Sequence, residues 1–425
     1  MSYEVMAGLV GTAILMGIGV PILVALGLGT IYLMWVCNYP LLVVGQVPFS
    51  GIDKFAFLAV PLFILTGDII AHSGMARQLV RLAYAMFGWI QGGLGASTLI
   101  GSGFFAAISG SNSATAAAMG RMMIPEMESK YTRDYSGAIV ACGACMGIII
   151  PPSIIYIIYG SVAGVSVGAL FIAGILPGIL MIAFMCVANY FMCKVHRYDP
   201  PVQKFSASEL LKAIWDAKFA LIAPIIILGS IYGGIATPTE SAVIAVAYCL
   251  IVSFLRKKMK VSDMSGLFLR SGVVCGVLMP IVALATLFSE TITMLRIPSL
   301  FTNAILGISE SEIIIMFSLF LILFIAGMVM DTTPIILILV PLIGPIVTNL
   351  GLDPVHWGIA MITTLTIGFV TPPIGINLYV VSSIAKIPIV TLFVKSIPLI
   401  IAMLLALFFI YVFPQLSLWL VQFIL

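Results

Sequence analysis

Long apolar stretches follow one another along almost the entire chain and are separated by short polar segments. Most are close to the length that a helix needs to cross the apolar part of a bilayer, about 17–25 residues. Membrane-spanning helices are therefore predicted at residues 5–20, 22–47, 54–71, 136–161, 168–193, 219–235, 240–255, 268–294, 356–385 and 389–415. The pattern predicts an all-α polytopic membrane protein.

Two further apolar runs, 92–127 and 312–350, are interrupted near their midpoints by polar clusters. The first cluster reads Ser-Gly-Ser-Asn-Ser from Ser109, and the second reads Asp-Thr-Thr-Pro from Asp331. We predict that each run forms a re-entrant helical hairpin with the polar cluster at its tip. Irregular backbone at that depth is tolerated where protein or a watery cavity satisfies its polar groups.

The residues that follow the two clusters repeat the same spacing. Ser111 to Pro152 and Thr332 to Pro373 both span 41 residues. Between them, corresponding positions lie 221 residues apart: Gly137, Gly147 and Pro151-Pro152 in the first half, and Gly358, Gly368 and Pro372-Pro373 in the second. Proline removes a backbone donor and clashes with the preceding turn, so these pairs predict broken helices at 136–161 and 356–385. Matched interruptions in matched apolar segments are typical of a transporter whose site lies between two repeats.

The charged residues indicate the orientation of the chain. Of its 425 residues, 62% are hydrophobic and 8% are charged, whereas soluble domains carry about 25% charged residues. All of the 19 Lys and Arg residues except Lys54 and Arg296 fall on one side of the predicted layout, which the positive-inside rule makes cytoplasmic. Hairpin 92–127 then enters from the cytoplasm and hairpin 312–350 from outside, so the repeats are inverted. The net charge of +3 reflects this topology and does not indicate a nucleic-acid partner.

We predict one membrane domain, because no polar linker long enough to separate soluble domains is present. Its predicted parts are N-terminal scaffold helices (1–53), a first inverted repeat (54–193), cytoplasmic loops with scaffold helices (194–267), a second inverted repeat (268–388) and a C-terminal helix (389–425).

Broken helices leave carbonyl and N–H groups without intrahelical partners. The carbonyls suit a hard cation such as Na⁺, and the N–H groups suit an anionic substrate. The predicted cation ligands are Ser109, Ser111, Asn112, Gly147, Ile150 and Pro151 in the first half, and Asp331, Thr332, Thr333, Gly368, Val370 and Thr371 in the second. The predicted substrate contacts are Ser113, Ser153, Thr333, Pro334, Pro373 and Asn377. Ser and Thr in membrane helices often only satisfy backbone groups, but duplication beside a Pro-Pro break favours a site.

Other polar residues in the apolar runs have structural interpretations. Asp68 and Glu290 lie near predicted helix ends, and Glu240 follows a Thr-Pro-Thr helix start. Cys142 and Cys145 form a Cys-x-x-Cys inside a span, without a second pair or a nearby His, so packing is the favoured interpretation. No His-Glu-x-x-His metal motif is present. An enzyme is therefore not expected, and paired interruptions disfavour a plain channel.

Several motifs together resemble the large membrane subunit of tripartite ATP-independent periplasmic (TRAP) transporters, the DctM-like family. They lie at Phe104–Thr115, Ile150–Ser153, Phe171–Gly178, Thr237–Glu240, Gly327–Asp331 and Thr371–Gly375. The resemblance extends from about Pro61 to Ala385 and agrees in order and spacing.

This resemblance implies an elevator transporter in the bacterial inner membrane, in which hairpins and broken helices move against a scaffold, coupled to inward flow of two or more Na⁺ ions without an organic cofactor. The implied partners are a small four-helix membrane subunit, a periplasmic substrate-binding protein and the lipid bilayer. The implied substrate is a small organic anion: a C4-dicarboxylate, a sialic or sugar acid, a keto acid or a sulfonate such as isethionate. The alternative is a stand-alone Na⁺/carboxylate symporter of the two-hairpin type.

Overall fold

The computed structural model describes residues 3–40, 42–201, 204–307, 309 and 311–424, and these ranges are helical without a β-strand. The chain begins with α1 (Tyr3–Gly17), α2 (Ile22–Val36) and α3 (Leu42–Ile52). The single span predicted at 22–47 is wrong, because the helix ends at Val36. Asn38 has a positive φ of 52°, and Pro40 disfavours helical backbone at the residue before it.

The first repeat contains the predicted hairpin and the predicted broken helix. Its helices are α4 (Ala59–His72), α5 (Met75–Phe87), α6 (Gly93–Ser109), α7 (Asn112–Met127), α8 (Arg133–Ala144), α9 (Ile154–Ala163), α10 (Val167–Ala173) and α11 (Ile175–His196), with short 3₁₀ helices at Phe55–Leu58 and Cys145–Ile148. Helices α6 and α7 form hairpin 1, and α8 and α9 are the halves of broken helix 1. The amphipathic α5 was not predicted, because its polar face interrupts the apolar run that a spanning helix would show.

The second half of the chain repeats this plan. Its helices are α12 (Ala207–Tyr232), α13 (Pro238–Leu255), α14 (Val261–Met294), α15 (Ile297–Leu306), α16 (Glu312–Val329), α17 (Thr332–Asn349), α18 (Pro354–Gly368), α19 (Ile376–Ala385), α20 (Ile389–Val412) and α21 (Gln415–Ile424). Helices α16 and α17 form hairpin 2, and α18 and α19 are the halves of broken helix 2. The predicted start of α13 is confirmed, since the Thr237 hydroxyl accepts from the Glu240 N–H and the Glu240 carboxylate accepts from the Thr237 N–H.

The two broken helices pack against each other at the centre of the molecule. The Cys145 thiol donates to the carbonyl of Thr366 at 3.4 Å, and these two positions are themselves 221 residues apart. The Asn377 amide donates to the carbonyl of Ala141 at 3.2 Å, and the Tyr159 hydroxyl donates to the carbonyl of Pro354 at 2.7 Å. The repeats therefore meet along corresponding segments. In the described ranges, eight helical stretches are long and apolar enough to cross a membrane.

Candidate functional site

The tip of hairpin 1 is a two-residue break between α6 and α7. Helix α6 ends at Ser109 and is followed by Gly110, which has a positive φ of 59° that glycine adopts without strain. Ser111 then has extended backbone and caps α7, because its hydroxyl accepts from the Ala114 N–H at 3.4 Å. The Thr115 hydroxyl donates to the Ser111 carbonyl at 2.8 Å and lies 3.0 Å from the hydroxyl of Ser109. These bonds fix the backbone of the tip.

Broken helix 1 meets this tip through glycine. A Cβ atom on Gly147 would lie 2.5 Å from the carbonyl carbon of Ser111 and 2.7 Å from the N of Asn112. Such distances exclude any side chain, so glycine at this position permits backbone-to-backbone contact. The Ile154 N–H, at the start of α9, donates to the Gly110 carbonyl at 3.5 Å. The structure thus brings Ser111, Asn112 and Gly147 together.

The tip of hairpin 2 has the same plan with a different cap. Helix α16 ends at Val329, Met330 is extended, and Asp331 caps α17 by accepting from the Thr332 N–H. The Asp331 side chain is exposed, whereas Thr332 and Thr333 are buried. Helix α7 begins at Asn112 and α17 at Thr332. By its place in the tip, Asn112 therefore corresponds to Thr332. The spacing along the sequence had instead paired Ser111 with Thr332, so the prediction was one residue out of register.

Broken helix 2 contacts hairpin 2 through a pair of glycines, one from each element. A Cβ atom on Gly368 would lie 2.7 Å from the N of Met328, and one on Gly327 would lie 2.5 Å from the carbonyl oxygen of Leu365. The N–H groups of Ile374 and Gly375 donate to the Met328 carbonyl at 3.2 and 3.4 Å. The break therefore packs on the end of α16, before the tip. Both Pro-Pro pairs, at 151–152 and 372–373, are cis.

Unpartnered polar atoms occur at both tips. Among the described residues, the buried side-chain atoms without a hydrogen-bond partner include Oδ1 and Nδ2 of Asn112, Oγ1 of Thr332 and Oδ1 of Asn377. Buried polar groups in proteins are nearly always hydrogen-bonded, so each such group requires an explanation. Asn112 and Thr332 are the first residues of α7 and α17, and therefore occupy equivalent positions. Their oxygens, beside the Ser111 cap and the Asp331 cap, suit an alkali cation, which prefers oxygen ligands.

One cavity of about 1310 Å³ joins the two tips. Its lining includes Ser109, Ser111, Asn112 and Ser113 from the first tip, and Asp331, Thr332 and Thr333 from the second. Thus seven of the predicted site residues lie around a common space. The cavity also reaches basic side chains that were not among the predicted site residues: Arg77, Arg81, Arg121, Lys258 and Arg270.

The remaining predicted residues have other positions. Ser153 is buried, and its hydroxyl donates to the carbonyl of Ile148 at 2.9 Å. Pro334 is buried, Pro373 is exposed, and the Asn377 amide binds Ala141. The others lie in or next to the two breaks: Gly147 in the 3₁₀ helix Cys145–Ile148, Ile150 and Pro151 after it, Gly368 at the end of α18, and Val370 and Thr371 after it. Their roles as cation ligands or substrate contacts stay predictions.

Sequence reasoning missed the contact that α4 makes with the first tip. A Cβ atom on Gly67 would lie 3.0 Å from the Cα atom of Ser109. A glycine beside Asp68 within an apolar helix was the available signal for such a close approach.

The base of hairpin 1 is held by a buried carboxylate. Asp199 accepts from Lys130 Nζ at 2.8 Å, from the Tyr131 hydroxyl at 3.1 Å and from the N–H of Leu94, at the start of α6, at 2.7 Å. Partial burial lowers the pKa of Lys130, but the hydrogen bond and charge of Asp199 outweigh it and raise that pKa above its usual value. A carboxylate at a helix N-terminus is also favoured by the helix dipole. Hairpin 1 is therefore anchored at the end opposite its tip.

Comparison with known proteins gives similarity over almost the full length. The family described as "Tripartite ATP-independent periplasmic transporter, DctM component" matches residues 9–416. The isethionate TRAP transporter permease protein DctMQ of Oleidesulfovibrio alaskensis is 38% identical over 92% of this chain, which spans 62% of that relative's length.

Other relatives cover the chain to a similar extent. The C4-dicarboxylate TRAP transporter large permease protein DctM of Vibrio cholerae is 34% identical over 96% of this chain and 95% of that protein. The sialic acid TRAP transporter large permease protein SiaM of the same species is 33% identical over 87% of both. Among solved structures, the YdaH transporter of Alcanivorax borkumensis has a TM-score of 0.62 at 14% identity, covering 88% of this chain and 87% of that one.

Proposed function

Because the chain belongs to the family of DctM components of tripartite ATP-independent periplasmic transporters, we propose that it couples uptake of a small organic anion to inward movement of Na⁺. The family carries out secondary transport of organic acids, and the chain is a multi-pass protein of the bacterial inner membrane. Its relatives are named as transporter permeases and not as enzymes. This confirms the prediction that the chain is not an enzyme. The coupling ion, the substrate and the mechanism are our proposals.

The observation that carries the proposal is the pair of unpartnered oxygens on Asn112 and Thr332. A buried oxygen without a donor gains most from a bound cation, since its lost hydration is otherwise uncompensated. Each oxygen lies at the tip of a hairpin beside a second oxygen-bearing cap. Na⁺ would be held at each tip by these side chains together with carbonyls of the adjacent break.

The proposed anion site is the space between the tips. Helices α7 and α17 both begin at the wall of the shared cavity, and a helix N-terminus presents free N–H groups and the positive end of its dipole. Ser113 and Thr333 add hydroxyl groups within the same space. Two helix N-termini with bound Na⁺ nearby would favour a carboxylate or sulfonate.

We further propose an elevator mechanism in which both hairpins and both broken helices move as one body. Glycine-mediated backbone contacts join each hairpin to its broken helix, and the two broken helices bind each other. Continuous contact of this kind supports movement as a unit. TRAP large permeases work with a small membrane subunit and a periplasmic binding protein, and we propose that the binding protein delivers the anion.

The test is reconstitution in proteoliposomes with the small subunit and the binding protein, using isethionate, succinate and sialic acid as trial substrates. We expect uptake that requires an inward Na⁺ gradient and all three components. Equal uptake driven by K⁺ or by a proton gradient alone would contradict Na⁺ coupling. Uptake by this chain alone would support the stand-alone symporter instead.

A further inference from the structure

The cavity below the hairpin tips is lined by more positive than negative charge. Five cationic side chains face it, and they come from different elements: Arg77 and Arg81 from α5, Arg121 from α7, Lys258 from the turn between α13 and α14, and Arg270 from α14. The carboxylates in the lining are Asp68 and Asp331. Asp331 caps α17, and Asp68 accepts from the Ser271 hydroxyl at 3.3 Å.

In the described ranges these five side chains, here called the vestibule cations, are not paired one-to-one with carboxylates, although Arg270 lies near enough to Asp68 to interact with its charge. Within the described ranges, none of the five forms an ion pair with Asp or Glu. Among the residues that the structure describes, the Arg121 side chain donates to the carbonyl of Ala117, one turn earlier on its own helix. Nearby, the Asp263 carboxylate faces His72 at 3.5 Å and accepts from the Lys260 N–H at 2.8 Å. Like charges collected around one space repel each other, and an anion between them relieves that repulsion.

The predicted topology explains why positive charge lies on the cytoplasmic side of the protein. It does not explain why five cations line one cavity. The same predicted cytoplasmic side carries other cations, such as Lys212 and Lys257, which do not line the cavity. Arg121 lies nine residues after the start of α7, or about 14 Å from the tip at 1.5 Å per residue. The positive-inside rule would be satisfied equally well if these cations faced the lipid instead of the cavity. Convergence of five cations from four segments on one cavity therefore points to a ligand.

We propose that this vestibule, the part of the cavity lined by the five cations, holds a second oxyanion-binding position near Arg121, about 14 Å along α7 from the first tip. Guanidinium groups form paired hydrogen bonds with carboxylate, sulfonate or phosphate oxygens, so the ligand class is a small oxyanion. If the chain transports an organic anion as proposed above, the transported anion occupies this position after leaving the tips.

The test measures local anion concentration and requires neither Na⁺ nor transport. In the full-length chain without native cysteines, a fluorophore is placed at Val273, an exposed residue of the cavity lining. Collisional quenching by iodide is compared with quenching by neutral acrylamide. A second label at Ile235, which is 81% exposed and lies outside this lining, serves as the reference.

We expect the iodide-to-acrylamide ratio to be higher at Val273 than at Ile235. Removing one charge at roughly 6 Å in water should lower that ratio about two- to threefold in Arg121→Gln and in Arg270→Gln. Arg121→Lys should restore it, and Lys212→Gln should leave it unchanged. A ratio at Val273 equal to that at Ile235, or an equal decrease in Lys212→Gln, would overturn the proposal.

The source of the oxyanion is identified by competition. Succinate and inorganic phosphate should each reduce iodide quenching at Val273, while neutral sucrose should not. A reduction that instead requires anionic lipid in the nanodisc would assign the position to a headgroup and overturn a role for the transported anion. Because these measurements are made without Na⁺, failure of Na⁺ coupling would leave their outcome intact.

Discussion

The two hairpin tips share a backbone plan but differ in charge. Ser111 caps α7 with a neutral hydroxyl, and Asp331 caps α17 with a carboxylate. The next residue at each tip, Asn112 or Thr332, has an unpartnered buried oxygen. The two tips thus share a buried oxygen that suits a cation, and they differ in the residue that caps the helix. We infer that the second tip holds its cation more strongly, because a full negative charge attracts a cation more than a hydroxyl dipole does.

The tips also differ in how the broken helices support them. Gly147 packs on the tip itself, at Ser111 and Asn112, whereas Gly368 packs on the end of α16 at Gly327 and Met328. The first tip is therefore supported directly by its broken helix. The second tip lies beyond that contact, with its carboxylate exposed to the cavity.

Replacing the charged cap should have the largest effect. Asp331→Asn keeps a side chain that caps helices well but removes the negative charge. We expect the Na⁺ concentration for half-maximal uptake to rise about a hundredfold, since a carboxylate about 4 Å from a cation at a protein surface contributes roughly 4 kcal/mol and the Asn amide oxygen replaces only part of it. Membrane insertion should persist. Wild-type Na⁺ dependence in this variant would make Asp331 a structural cap only.

Adding a methyl group to either supporting glycine should destabilise the corresponding hairpin. In Gly147→Ala and Gly368→Ala the new Cβ would overlap backbone atoms, and overpacking of this kind costs roughly 1–3 kcal/mol. Unfolding temperature and uptake should both fall. Gly276 and Gly344 are helical glycines with open space around them, so their alanine variants should retain both. Equal tolerance of all four substitutions would contradict the close packing.

Removing the unpartnered oxygens should weaken Na⁺ binding without lowering the stability measured in the absence of Na⁺. Asn112→Ala and Thr332→Val delete groups that make no hydrogen bond, so stability measured without Na⁺ should not decrease. The Na⁺ concentration for half-maximal uptake should rise about tenfold, equivalent to about 1.4 kcal/mol.

The matched control for these variants is Thr115→Val. The Thr115 hydroxyl binds the Ser111 carbonyl, so its loss should reduce stability by about 1 kcal/mol. Destabilisation by Asn112→Ala or Thr332→Val to the same extent without Na⁺ would indicate a structural role for those oxygens.

Replacing Ser111, which caps the first tip, with Asp, the residue type that caps the second tip, should have a smaller effect. Ser111→Asp keeps a good N-cap residue and adds a negative charge at the cavity wall. Na⁺ affinity should increase about threefold, because one charge at roughly 6 Å in water contributes about 0.7 kcal/mol. Ser111→Asn, which is neutral, should not change it. Equal Na⁺ titrations for the Asp and Asn variants would show that charge at this tip has no influence on binding.

Both hairpins and both breaks were predictable from the sequence, because polar clusters and Pro-Pro pairs interrupt otherwise apolar segments. The turn between α2 and α3 was missed because Asn38 and Pro40 lie within a run read as one span. The amphipathic α5 was missed because it does not span. The one-residue shift between the tips and the shared cavity depend on how distant segments pack, which spacing along the chain does not specify.

The most direct test of the central claim, that each tip holds a Na⁺ ion, is a cation titration of thermal unfolding for the purified chain. Na⁺ at about 100 times its dissociation constant should stabilise the wild type by about 2.7 kcal/mol per site, and K⁺ should not. A tenfold weaker site still contributes about 1.4 kcal/mol at that concentration, so Asn112→Ala or Thr332→Val alone should remove part of this stabilisation and the double variant should remove about half of it. Full Na⁺ stabilisation of the double variant, or equal stabilisation of the wild type by K⁺, would contradict the account.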